Sequence, residues 1–465
     1  MKKTLKILIP LIVGVIIAFI PAPEGLDVFS MRFMGIFVCA LLWMVLKALP
    51  DHITVLLAMT ASVFFGVGAV SNAYSYFASS TIWLLVGAFG IGAAINSCGL
   101  LKRISMWILK LFPENYKGQV LAMYATGTVI SPLIPSLAAK VAMLAPFTVG
   151  MSQALGFKKS SKQAAGMFAA MFIPGSIFGM AFYSGAVPVF TVLGFLSEEK
   201  QAEWNWFSWI GATWVWLIVL AVLCYVAILL IYKPEKGSEI GEVQKGFAKA
   251  QLEALGPMTK NEKTAIILLA IALIGWMTTK WTNFDSGMIA VLVLAIMTIC
   301  GLFAPADWKN KIPWTTVIFI AGVFSLAAYI SSTGISGWLA GILAPILSPV
   351  VSNSWLLIPV VVLATYAIRT VVISQTAAIT IIFTIFGSVC DAAGISVWPV
   401  LFTCYVSTLV WYYAANNTTF ATAFGATNDE LVEFKDTLPL NWAFMVCNFI
   451  ACVASVPLWK MLGML

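Results

Sequence analysis

Residues 81–100 read TIWLLVGAFGIGAAINSCGL, and residues 316–335 read TVIFIAGVFSLAAYISSTGI. Gly87 pairs with Gly322, Phe89 with Phe324, Ser97 with Ser332 and Gly99 with Gly334, all at one offset, 322 − 87 = 235. The same events follow each block. After the first comes a polar break inside a hydrophobic hairpin, Ser131-Pro132-Leu133-Ile134-Pro135-Ser136. After the second comes Ser374-Gln375-Thr376. Each hairpin leads into a long apolar span with an interruption of its own. The first is Pro174-Gly175 through Ser184-Gly185-Ala186-Val187-Pro188; the second is Ala414-Ala415-Asn416-Asn417-Thr418-Thr419. A Gly-rich similarity of twenty residues is weak alone in so apolar a chain. Its recurrence with a matched hairpin and a matched break is much stronger.

The surrounding composition names the solvent. The chain has 465 residues, 61% hydrophobic and only 10% charged, with a mean hydropathy of +0.98. A soluble domain is about half apolar and roughly a quarter charged. Too few charges remain to cover a water-facing surface. A soluble enzyme, a disordered chain and a fibre are therefore excluded. The net charge of +7 does not indicate nucleic acid, because the basic residues cluster between apolar spans. The eight cysteines (39, 98, 224, 300, 390, 404, 447, 452) form no CxxC pair and read as small buried hydrophobes. The one histidine, His52, lies beside Asp51 in a short polar break. Met-Lys-Lys followed by an apolar run has signal-peptide flavour. It lacks a small-residue cleavage site, and Pro21 and Pro23 follow at once. It reads as a retained first helix.

A membrane-crossing helix needs about 20 largely apolar residues. Clear candidates are 5–20, 30–49, 53–70, 80–97, 206–232, 264–281, 286–303, 314–331 and 440–463. Residues 117–195 and 352–426 are each long enough for a span plus a hairpin that enters and leaves on one side. Their apolar interiors carry Ser, Pro, Gly or Asn, which is tolerated at membrane depth only when protein buries it or it lines a wet cavity. The reading is an all-α polytopic membrane protein of about eleven transmembrane helices plus two re-entrant hairpins. Its parts are an N-terminal helix (1–20) and a first repeat (21–232) with hairpin 117–155 and broken helix 161–195. A cytoplasmic linker (233–263), with a short surface helix near 245–255, precedes a second repeat (264–465). That repeat holds hairpin 352–393 and broken helix 396–426.

Charge orients the chain. With a cytoplasmic N-terminus in the cell inner or plasma membrane, only Arg32, Lys200, Lys280 and Lys460 lie outside. Two more cations, Lys140 and Arg369, lie within apolar sequence. The other 20 of 26 Lys and Arg face the cytoplasm, a strong positive-inside bias. The first repeat then starts outside and the second inside. Such inverted repeats mark secondary transporters, and paired interruptions point to a midplane substrate site. Trp204, Trp206, Trp209, Trp308 and Trp314 read as interfacial anchors at span ends.

All 19 Asp and Glu fall in loops or span ends. Proton relays and cation carriers commonly need buried carboxylates or histidines, and intramembrane enzymes need acid–base groups. None has a candidate here. Lys140 follows Ser131 by nine residues, and Arg369 precedes Ser374 by five. Two readings stand for them. They snorkel or cap backbone carbonyls, or they offset the two charges of a dianionic substrate. Helices starting at Pro132 or Ser136, and after Ser374, would aim free N–H groups at an anion. Ser131, Ser136, Ser374, Gln375, Thr376, Asn416, Asn417 and Thr418 would add side-chain donors.

These residues resemble the divalent anion/sodium symporter family, carriers of di- and tricarboxylates, over nearly the whole chain. The resemblance implies a homodimer held by scaffold helices and an elevator-like transport domain. The family's Ser-Asn-Thr tip motif maps onto Ser131-Pro132-Leu133 and Ser374-Gln375-Thr376; its second-break pattern maps onto Ala415, Asn416, Asn417 and Thr418. Neither asparagine of the tip motif is present, and Leu133 replaces the first threonine. In the family, the tips and nearby carbonyls bind sodium. Pro132 offers no side-chain oxygen, and Lys140 and Arg369 would repel a sodium ion. No cofactor or structural metal is expected, and sodium coupling should be lost or weak. The expectation is sodium-independent exchange of C4/C5 dicarboxylates such as malate, succinate, fumarate or 2-oxoglutarate, as in the family's exchanger branch. The alternatives are a sodium-coupled di- or tricarboxylate symporter and, of another class, a membrane-embedded enzyme or a channel.

Overall fold

A computed structural model describes residues 3–234 and 246–465. Lys2 and residues 235–245, most of the expected linker, lie outside the described residues, as do the side chains of Lys3 and Lys280. The described residues are helical or irregular, with no strand.

Three helices open the chain: α1 (Lys3–Phe19), α2 (Val28–Val45) and α3 (Asp51–Phe64). A Cβ on Gly35 would lie 2.3 Å from the Gly14 carbonyl oxygen, so α1 and α2 cross at backbone contact. Helix α3 stops short of the expected 70 because Gly66 takes a left-handed φ of +74°. The short α4 (Val70–Ala73) leads to α5 (Ser80–Ser97), the first repeat block. Gly99, at φ +86°, turns the chain into the amphipathic α6 (Leu100–Lys110). A helix pair follows, α7 (Tyr116–Ile130) and α8 (Leu137–Ala154). Next is α9 (Lys162–Ser176), a 3-10 turn (Ile177–Ala181) and α10 (Val187–Gly194). The short α11 (Glu198–Ala202) and α12 (Trp206–Ile231) end the first half, and α13 (Phe247–Leu255) is the expected linker helix.

The element order then recurs. After α14 (Lys260–Thr282), α15 (Ser286–Ile299) and the short α16 (Pro305–Asn310) comes the second block, α17 (Trp314–Ser332). Gly334, at φ +74°, turns it into α18 (Ile335–Val351), just as Gly99 turns α5 into α6. A second helix pair follows, α19 (Ser354–Val371) and α20 (Gln375–Ala392). Then come α21 (Trp398–Ser407), a 3-10 turn (Ala414–Asn416) and α22 (Thr418–Ala426). The chain closes with α23 (Phe434–Ala454) and α24 (Val456–Met461), which together form one apolar stretch long enough to cross a membrane; Pro457 opens the second.

Eight described helices are long and apolar enough to cross a membrane. They divide by burial. Helix α12 turns Trp214, Ile218, Val222 and Leu230 outward, an apolar face suited to lipid. The stretch from Gln163 to Ala181 is buried throughout, packed by α7, α8, α12 and α23. The first broken helix is therefore the innermost element, and its irregular backbone is covered by protein as membrane depth requires.

One expectation changes here, and one charge gains a partner. Trp209 is no interfacial anchor. It is fully buried, meets Trp204, Trp398 and Phe402 edge-on, and donates its indole N–H to the Met180 carbonyl at 3.0 Å. Arg103, one of the basic residues set on the cytoplasmic side, is not free. It grips Glu262 through Nε at 2.8 Å and Nη2 at 3.1 Å, and both side chains are nearly inaccessible. Its Nη1 also donates to the Gly256 carbonyl at 2.8 Å. The pair pins α6 to the end of α13 and the first turn of α14.

Candidate functional site

The first tip starts where α7 ends. Pro132 and Pro135 cannot donate backbone hydrogen bonds, so the helix yields to a turn across residues 131–136. Helix α8 resumes at Leu137, not Pro132, with Ser136 as its N-cap accepting the Ala139 N–H at 3.2 Å. Ser131 instead ends α7 and turns its hydroxyl away, donating to the Pro174 carbonyl at 2.7 Å. The Ser184 hydroxyl donates to the Pro132 carbonyl at 2.9 Å, and the Val187 N–H to the Pro135 carbonyl at 2.9 Å. The tip is thus stitched to the break of the first long span.

Lys140 fills the space between them. Its side chain is wholly buried. The ammonium donates to the Ser131 carbonyl at 3.1 Å and the Gly185 carbonyl at 2.8 Å. The approach needs glycine. A Cβ on Gly179 would lie 2.5 Å from Nζ, and one on Gly185 would lie 2.9 Å from the Ser131 oxygen.

The second tip repeats the pattern with different residues. Ser374 is the N-cap of α20 and accepts the Ala377 N–H at 3.2 Å. Arg369, also wholly buried, donates Nε to the Thr408 carbonyl at 3.0 Å and Nη1 to the Val372 carbonyl at 2.7 Å. It also donates to the Ile373 and Asn416 carbonyls. Asn416 returns a bond from its amide to the Arg369 carbonyl at 3.0 Å. Asn417 caps α22 through the Phe420 N–H at 3.0 Å and donates to the Leu409 carbonyl at 2.7 Å. Gln375 donates to the Thr408 carbonyl at 3.3 Å.

Both cations therefore bind backbone carbonyls, as the capping reading expects. No carboxylate lies within ion-pair distance of either among the described residues.

The predicted residues do not all have the same surroundings. Thr418 and Ala415 are exposed; Pro132, Leu133, Ser136, Gln375 and Thr376 are half-buried; Ser131, Ser374, Asn416 and Asn417 are buried. The half-buried and exposed members are those able to meet a ligand. No hydrogen bond joins the two tips among the described residues. An aromatic seam connects the two breaks instead: Phe172 meets Trp411 edge-on at 4.9 Å, and Trp411 stacks on Phe420 at 5.3 Å.

Several site members escape sequence reasoning. Gly179 and Thr408 act through close approach or a backbone carbonyl. Asn448 accepts the Trp216 indole N–H at 3.0 Å and donates to Ser407 and Tyr366 at 3.1 Å each. An asparagine inside the apolar run of α23 was the one signal available for it.

Comparison with known proteins gives the family and the fold. A family model described as the sodium:sulfate symporter transmembrane region matches residues 1–465. The Escherichia coli inner membrane protein YbhI is 28% identical over 355 residues, covering 73% of each chain. An Escherichia coli L-tartrate/succinate antiporter is 23% identical over 357 residues, covering 72% of this chain and 73% of its own. The Alcanivorax borkumensis YdaH transporter superimposes with a TM-score of 0.55 at 14% identity, over 85% of this chain and 88% of that one, which shows a shared fold. A match along the whole length, on a polytopic helical chain with paired broken helices, makes this protein a multi-pass membrane transporter of the divalent anion:sodium symporter family.

Proposed function

We propose that the protein is a secondary-active carrier that exchanges one C4/C5 dicarboxylate for another, independently of sodium. The observation that carries this reading is the pair of buried cations, Lys140 and Arg369, each on backbone carbonyls and without a counter-charge. A dianion bound between the tips balances both. The N-termini of α8, α20 and α22, with Ser136, Gln375, Thr376 and Thr418, supply donors for its two carboxylates. Once the substrate leaves, the moving part carries two positive charges. Each buried ion costs several kcal/mol of desolvation, and each charge moved against the membrane potential costs about 2.3 kcal/mol per 100 mV. The empty carrier therefore returns poorly and waits for a second dianion.

In this reading α1, α2, α3, α5, α12, α14, α15, α17 and α23, with the broken helices α9–α10 and α21–α22, make eleven spans. The α7–α8 and α19–α20 pairs are re-entrant hairpins of inverted repeats, and they move as an elevator against a homodimeric scaffold. The N-terminus lies in the cytoplasm. The antiport named for the tartrate/succinate relative supports exchange. The sodium named in the family model favours the alternative, sodium-coupled symport.

Proteoliposomes separate the two. Labelled succinate uptake is measured into vesicles loaded with malate or left empty, with and without a sodium gradient. Exchange predicts uptake that needs internal malate and ignores sodium. Uptake into empty vesicles driven by sodium overturns it.

A further inference from the structure

Away from the tips, the first three helices enclose a cavity of about 580 Å³. Its walls are apolar: small residues such as Gly14 and Ala18 of α1, Gly35 of α2 and Ala61 of α3, with aromatic rings toward its ends. The bottom is closed by Trp43, whose indole N–H donates to the Ile7 carbonyl at 3.0 Å. One cation, Arg32, stands at the other end. We propose that this groove holds one acyl chain of an anionic phospholipid whose phosphate pairs with Arg32.

Three observations carry the proposal. First, the groove has the depth of one leaflet. Arg32 and Trp43 are eleven residues apart on one helix, about 16 Å at 1.5 Å per residue, or roughly half of a 30 Å hydrocarbon core. Second, Arg32 is free to bind an anion. Its Nη1 donates to the Phe65 carbonyl at 3.0 Å, and its guanidinium lies 5.3 Å from the Phe29 ring centre. The other N–H groups have no protein partner, and no carboxylate is within ion-pair distance, among the described residues. Third, the ends of α1 and α3 reach the same level as Arg32, since Phe19, Phe65 and Gly66 line the groove beside it. The cation therefore lies where a headgroup does and the apolar walls lie where its chain does. Solvent water has no polar partners along those walls.

The test uses the full chain in detergent, with retained lipid counted by native mass spectrometry during titration with phosphatidylglycerol or phosphatidylcholine. The expected result is one phosphatidylglycerol retained per chain, about fivefold more tightly than phosphatidylcholine, the advantage one basic side chain gives an anionic lipid. Arg32→Gln should bring both lipids to one affinity, Arg32→Lys should keep the preference, and Ala61→Phe should expel the lipid by filling the groove. Equal retention of both lipids by the wild type, or an unchanged preference in Arg32→Gln, overturns the proposal. So does an Ala61→Phe protein that keeps its lipid but changes from dimer to monomer, since the groove would then be a protein interface.

Discussion

Replacing Lys140 by methionine separates charge from packing. The two side chains are similar in length, and the substitution removes the ammonium alone. It leaves the Ser131 and Gly185 carbonyls without their donor. An orphaned buried polar group costs about 1–3 kcal/mol, so the two together cost about 2–6 kcal/mol. Against this, the variant no longer buries an ion, which relieves several kcal/mol of desolvation. The effects are opposite and of one size, and the net change in stability should be within about 2 kcal/mol. Transport has no such offset. The loaded site goes from neutral to one net negative charge, and even about 2 kcal/mol in that step slows it roughly thirtyfold. The assay is labelled succinate exchange in malate-loaded proteoliposomes, with thermal unfolding of the same preparation. The expected split is a melting point shifted by a few degrees and exchange reduced at least thirtyfold. Lys140→Ala should go further, because it empties the carbonyl cage, and sodium should stimulate its exchange. A folded Lys140→Met protein exchanging at the wild-type rate refutes the charge argument; activity lost only in step with unfolding reduces Lys140 to a structural cap.

Other expectations concern separate parts of the fold. Arg103→Met should destabilise by about 3–5 kcal/mol in chemical unfolding, because Glu262 is left buried without a partner; adding Glu262→Leu should recover much of the loss. Gly185→Ala should abolish exchange, since its Cβ would lie 2.4 Å from the Gly179 oxygen and force the Lys140 cage apart. Ser374→Ala should cost about 1 kcal/mol of stability and Ser374→Gly only a few tenths, the usual contrast at an N-cap. Asp27 accepts the Ser30 hydroxyl and N–H, which lowers its carboxyl from the ordinary 3.8. Its cap on α2 is therefore complete at neutral pH and lost as acid takes the pH down through that lowered value. A melting curve of Asp27→Asn should lack this acid-dependent part.

Interruptions were legible because they are chemical. Proline, serine, glutamine and asparagine inside apolar runs mark irregular backbone whatever surrounds them, and helices end or start at both tips. The exact helix start was less clear. Pro132 and Ser136 were both candidates, and Pro135 decided for the second, since it keeps Ile134 out of the helical region. The surface charges were only half legible. Arg103 has the sequence surroundings of any loop cation, and its partner is 159 residues away. Trp209 looks like an anchor until Trp204 and Trp398 are folded around it.

By itself the sequence determined the solvent, the helical class, the family, the paired breaks and the presence of two buried cations, all properties of side-chain type and spacing. Tertiary structure alone decided what those cations touch. Their ligands are the carbonyls of Ser131, Gly185, Val372, Ile373, Thr408 and Asn416, and every residue carries the same carbonyl. Only the path of the backbone, with glycines at 179 and 185 allowing close approach, chooses which of them point at a charge.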